Sequence, residues 1–282
     1  MSQQLTANAI ASFDAMVKHA YQGSSMLRPS VRLKTGVVGS THRFPKMGKG
    51  TATQRIPQTD VIPMNIAHTN RTATLTDWNA PEYTDIFNQA EVNYSEQKEL
   101  AQVIAGAIGR REDQLILDAL DAASTTLTVS TDIGGTGTDL NAAKVRRAKK
   151  LLMAKGVKFN KTEQCFIIHA TGLESLLGDD DANTIDKNAV KMLVDGEITY
   201  WVGFNFKVME DRDEGGLPLA TSVRTNYAYD KAAIGLAIGL DFRTEVNYIP
   251  HKTSWLANGL FKAGSVDIDA LGIVEIETTE AA

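Results

Sequence analysis

One segment limits what this chain can fold into more than any other. From about Ser95 to Ala122 the sequence has no proline and few β-branched residues. Leu100, Val103, Ile104, Ala107, Ile108, Leu115 and Leu120 recur along it at helical spacing. Asn93 followed by Glu96 resembles a capping box. At 1.5 Å per residue such a helix spans roughly 40 Å, longer than a small domain is wide. The rest of the chain must therefore be arranged along a rod, and Gly106 and Gly109 permit close approach to it.

The segment before the rod is of the opposite kind. LKTGVVGSTHRFPKMGKGTATQRIP, residues 33–57, carries Lys34, Arg43, Lys46, Lys49 and Arg55, no acid, and four glycines. The runs 31–38 and 51–57 favour strand, and a long β-hairpin accounts for both. Such a hairpin has too little apolar content to fold alone and needs a surface to lie on. The whole chain of 282 residues has a net charge of −5, yet residues 15–59 hold eight bases (Lys18, Arg28, Arg32, Lys34, Arg43, Lys46, Lys49 and Arg55) and no acid, which leaves the remainder at −13. Three readings fit a basic segment on an acidic body: a phosphate-binding loop, a nucleic-acid contact, or an arm of one copy gripping the next.

Elsewhere the pattern is α+β. Leu5, Ile10, Phe13, Met16 and Val17 predict a short amphipathic helix within 4–21. After the rod comes a polar, glycine-rich loop, then a helix from about Leu140 to Lys155 with Asp139 as its cap and Gly156 as its stop. QCFIIHA reads as a buried strand, GLESLLG as a short helix and residues 199–209 as a strand. The tail is β-rich, with AAIGLAIG, FRTEVNY and a longer run to its end. Trp78, Trp201 and Trp255 are expected in core packing or subunit contact. No apolar run approaches the roughly 20 residues of a membrane-spanning helix, and no secretion signal is visible. The single cysteine, Cys165, excludes an internal disulfide framework, suits a reducing compartment and reads as a buried thiol.

The chemical motifs fail on spacing. A Walker loop would need glycine at Arg43 and Ser or Thr after Lys49, where Gly50 stands. GGTGTDL at 134–140 lacks the last glycine of a dinucleotide fingerprint. The five histidines show no ligand pairing, and there is no G-x-S-x-G elbow. The acidic run GDDD at 178–181 lacks an EF-hand pattern and reads as a solvated loop. Lys144, Arg146, Arg147, Lys149 and Lys150 on the second helix read as a solvated face, since no aromatic residues interleave with them. No catalytic, cofactor or metal site is expected.

Taken in order, VRLKTGVVGSTHRFPKMGKGTATQRIP, TATLTDWNAPEYTDIFNQAEVN, the helix ending GRREDQLILDAL, and AIGLAIGLDFRTEVNYIPHKTSWLANGLFKAGSVDID resemble the major capsid protein of tailed bacteriophages over about residues 5–277. The resemblance implies the capsid fold named after phage HK97. Its parts would be an N-terminal arm (1–30), an extended E-loop with flanking strands (31–75), and a P-domain with spine helix (76–124). An A-domain (125–232), returning P-domain strands (233–270) and a final strand and tail (271–282) would complete it.

The function implied is a shell of pentamers and hexamers enclosing double-stranded DNA without sequence-specific contact, in a virion assembled in the host bacterial cytoplasm. A portal protein at one vertex and possible decoration protein are implied partners. A separate scaffolding protein is expected because the chain starts directly at the arm. The E-loop would lie across a neighbour, with Lys34, Arg43, Lys46, Lys49 and Arg55 at the subunit interface. Lys46 and Lys49 lie in the loop that some members crosslink, but no partner is evident and no crosslink is predicted. An encapsulin-like compartment shell and a nucleic-acid-binding module are the competing functions; the latter predicts strongly salt-dependent DNA binding.

Overall fold

The computed structural model describes residues 25–87, 96–125, 127–160, 162–179, 200–212 and 214–280. The helix expected within 4–21, most of the arm, Asn93 of the capping box, and Asp180 and Asp181 of the acidic run lie outside them. The described elements in chain order are β1 (Arg32–Lys34), β2 (Thr41–Met47), β3 (His68–Thr74), β4 (Thr76–Asp85), α1 (Glu96–Asp121), β5 (Thr128–Val129), α2 (Ala142–Ala154), β6 (Gln164–His169) and α3 (Ala170–Leu177). After these come β7 (Tyr200–Trp201), β8 (Phe204–Met209), β9 (Leu219–Ala220), β10 (Val223–Asp230), β11 (Ile234–Ile249), β12 (Ser254–Asp267) and β13 (Ile273–Thr279). The class is α+β, as the pattern predicts.

The rod is α1, and its apolar stripe joins the two larger sheets. One sheet has the strand order β1-β11-β12-β4, and the other β5-β13-β10-β6-β8-β7 with β9 paired to β10. Ile104 and Ile108 lie against the first sheet at Gly259, where an added Cβ would stand 2.4 Å from Ile104. The glycine that allows close packing is thus mainly on the strand. Gly109 on the helix accommodates Ser25 instead. Further along, Ile116, Leu117 and Leu120 share a core with Ile167, Tyr227 and Tyr229 of the second sheet and with Leu236 and Phe261 of the first. Each such buried aliphatic side chain contributes about 1.5–3 kcal/mol.

The second sheet is covered on both faces, which explains the unbroken apolar run of β6. Cys165 and Ile167 face the α1 core, while Phe166 and Ile168 face Val145, Ala148 and Leu152 of α2. Burial pushes the Cys165 thiol up to about 11, so the buried-thiol reading holds. The last strand, β13, pairs antiparallel with β10 and parallel with β5, which places it in this sheet.

Several boundaries differ from the sequence expectations, each for a local reason. The hairpin is β2–β3; residues 51–57 form no strand, and β1 pairs in parallel with β11 instead. The β-branched residues of 51–57 satisfied propensity but have no strand to pair with. The described part of the strand expected over 199–209 splits into β7 and β8 around Val202 and Gly203, both at positive φ, as a two-residue hairpin turn requires. AAIGLAIG and FRTEVNY fuse into β11, a 16-residue strand with register shifts near Leu240. Helix α2 is capped by Asn141, whose side chain accepts from the Lys144 N–H at 2.9 Å, rather than by Asp139. Asp179 of the acidic run accepts from the Ala142 N–H at 2.7 Å. The solvated face of α2 also loses one member: Lys144 is fully buried, donating to the carbonyls of Thr138 and Glu277. Burial lowers its amine to about 8.

Candidate assembly interface

The β2–β3 hairpin has two faces because strand side chains alternate. Along β2 the odd positions Thr41, Arg43, Pro45 and Met47 are exposed, while His42, Phe44 and Lys46 turn inward. Phe44 is 1% exposed and packs with Ala73 and Leu75 on Ala237 and Ile268. Gly235 makes room for it, since an added Cβ there would lie 2.7 Å from the ring. His42 meets the Phe44 ring edge-on at 4.7 Å, and the Arg32 guanidinium lies 5.8 Å from its centroid.

Two ion pairs flank this plug. Lys46 Nζ meets Asp269 at 2.8 Å. Arg71 on β3 donates to the Asp267 carboxylate and, at 3.1 Å, to the Asp267 carbonyl. The base of the hairpin is therefore fixed to its own subunit.

The connection between the strands is different. Residues 48–67 contain no strand or helix, and nearly every side chain is exposed. Val61 is 87% and Ile62 75% exposed, and Ile56, Met47 and Met64 are also largely in solvent. Near the base, Gly48 N–H donates to the Ala67 carbonyl at 2.7 Å, which closes the two sides of the segment together. Large apolar side chains left in water close together in sequence are a common mark of interaction surfaces.

The structure does not gather the five sequence-selected bases into one patch. Lys34 ends β1 at an edge of the first sheet. Arg43 stands on the outward face of β2 with no ionic partner among the described residues, and Arg55 lies in the exposed connection. Lys46 is paired within the chain, and Lys49 Nζ donates to the Lys155 carbonyl at 3.4 Å, at the end of α2. Arg28 of the same basic stretch is also engaged, by Asp241 at 2.8 Å. Charge counting thus overstated how many cations are free to meet a partner. It also passed over the apolar residues: Ile56, Val61, Ile62 and Met64, in a run broken by Pro57 and Pro63, were visible as hydrophobic side chains with no periodicity to bury them.

Comparison with known proteins decides the family. The family model described as phage capsid protein matches residues 5–280. The chain belongs to that family. Capsid structures share its fold over nearly their whole length. The capsid of Helicobacter pylori bacteriophage KHP30 matches with a TM-score of 0.78 and 11% identity, covering 99% of this chain and 98% of that one. The capsid of cyanophage P-SCSP1u gives 0.74 and 14%, with 98% and 95% covered. The capsid of the native GTA particle gives 0.68 and 15%, with 97% and 96% covered. No curated protein sequence matches. The phage capsid protein thus has an HK97-like fold, with α1 as its long helix. Among the described residues, no helix is long and apolar enough to cross a membrane.

Proposed function

We propose that this capsid protein builds a closed icosahedral shell of pentamers and hexamers around a double-stranded DNA genome. In this reading β2–β3 and residues 48–67 are the E-loop, and the β1-β11-β12-β4 sheet with α1 is the P-domain. The sheet containing β10, with α2 and α3, is the A-domain at the capsomer axis. The observation that carries the reading is the hairpin itself: a base locked into its own subunit by Phe44, Lys46 and Arg71, and a tip that presents Val61 and Ile62 to solvent. A neighbouring subunit is the natural cover for such a tip, because every copy in a closed shell offers the same surface.

The role is structural and needs no catalytic site or cofactor. Apolar burial at the tip supplies the larger share of each contact, and Arg43 and Arg55 add pairs of about 0–1 kcal/mol each. Repetition over a shell makes weak contacts add up. A scaffolding protein, a portal at one vertex and a decoration protein are partners consistent with the family, in a virion assembled in the host cytoplasm.

Light scattering with negative-stain imaging of the purified protein, alone and with its candidate scaffold, tests the proposal. Shells tens of nanometres across, or five- and six-membered rings, are expected. A monodisperse small species under every condition, with salt-sensitive DNA affinity, would replace it with the nucleic-acid-binding reading.

A further inference from the structure

The chain enters the described fold at Ser25, and its first residues are held by one carboxylate. Asp113 on α1 is fully buried. It accepts from the backbone N–H groups of Met26 and Leu27 at 3.0 Å each, from Ser25 Oγ at 3.2 Å and from Arg212 Nη1 at 3.2 Å. That acid is satisfied four times over. Its neighbour Glu112 is not. Glu112 is 5% exposed, and its Oε1 is buried with no hydrogen-bond donor. The cation paired with it is Arg28, whose Nε stands 3.5 Å away. The Arg28 fork is already taken by Asp241 of β11, at 2.8 and 3.0 Å. Two carboxylates from different elements therefore compete for one guanidinium, and the buried one has the poorer share.

The charged groups facing Glu112 are Arg28 from the base of the arm, Asp113 on its own helix and Asp241 from β11. Arg212 reaches the same cluster through Asp113. Burial is the main cause that pushes the Glu112 carboxyl up to about 7; Arg28 opposes the shift, and Asp113 and Asp241 add to it. We propose that Glu112 is a proton-controlled release for the base of the N-terminal arm. Protonated, it lets residues 25–31 seat on α1; ionised, it is a buried carboxylate without a donor, its neighbouring cation held by Asp241, and release of the segment relieves that cost.

The sign follows from linkage. A seated Glu112 holds a proton between its ordinary range and about 7 that a released one gives up. The seat is therefore tightest in acid and loosens as pH rises through about 7. The device belongs to the subunit and does not depend on shell formation.

Hydrogen exchange on the full chain, corrected for intrinsic exchange rates, tests it. Between about pH 5.5 and about pH 8.5, protection of the amides in 25–31 should fall on the order of tenfold, while β10 stays unchanged. Glu112→Gln should keep the segment protected across the range. Asp241→Asn, which leaves Arg28 to Glu112, should move the loosening to lower pH. No pH response in the native chain, or an undiminished response in Glu112→Gln, overturns the proposal. Should Glu112→Gln not fold, an unmoved midpoint in Asp241→Asn overturns it equally.

Discussion

The two ends of the β2–β3 hairpin obey different rules. At the base, the inward residues of β2 meet a core that the chain itself supplies: Phe44 fills the space left by Gly235, and Lys46 and Arg71 find Asp269 and Asp267. At the tip, Val61, Ile62 and Met64 meet water. A sequence that leaves large side chains exposed at the end of a well-anchored lever is not failing to fold. In the proposed reading it specifies half of a contact, and a neighbouring copy supplies the other half. On that proposal, stability of the subunit and stability of the assembly are encoded in adjacent parts of one element.

The sharpest way to break this comparison is at the base. Phe44→Ala should cost the subunit about 3–5 kcal/mol, because the ring lies in a cavity that Gly235 and Ala73 cannot collapse to fill. Chemical denaturation of the unassembled subunit measures it, and a loss below about 1 kcal/mol would mean that the base is not anchored as described. At the tip the outcome should reverse. Val61→Asp with Ile62→Asp should leave subunit stability within about 0.5 kcal/mol and abolish closed shells, as read by sedimentation.

The cations provide the smallest and finest contrast. Lys46→Ala removes a partly exposed pair with Asp269 and should lower subunit stability by no more than about 1 kcal/mol. Arg43→Glu should leave stability alone and weaken assembly, with the deficit reduced at high salt. Equal effects of the two substitutions on assembly would show that strand parity does not sort their roles.

Much of this was readable from the residues alone. The stripe over 95–122 predicts α1 and its end to within one residue, and the apolar run QCFIIHA predicts a doubly covered strand. Both signals are local, since they depend on spacing within one element. What escaped depends on partners far along the chain. Lys144 looked solvent-exposed because its acceptors include the Glu277 carbonyl, well over one hundred residues away. The inward orientation of Lys46 follows from the register of β2, which the strand-favouring runs 31–38 and 51–57 do not reveal. The apolar tip carries no periodic signal: Val61 and Ile62 belong to no helix or strand pattern, and the subunit leaves both exposed.

A photoreactive side chain in place of Ile62 tests the central claim most directly. Irradiation of assembled particles should join that position to a second copy of the chain, giving covalent dimers and longer ladders on a denaturing gel. Irradiated particles that yield only unlinked or internally linked monomers would contradict the account, because the tip would then be covered by its own subunit or by nothing.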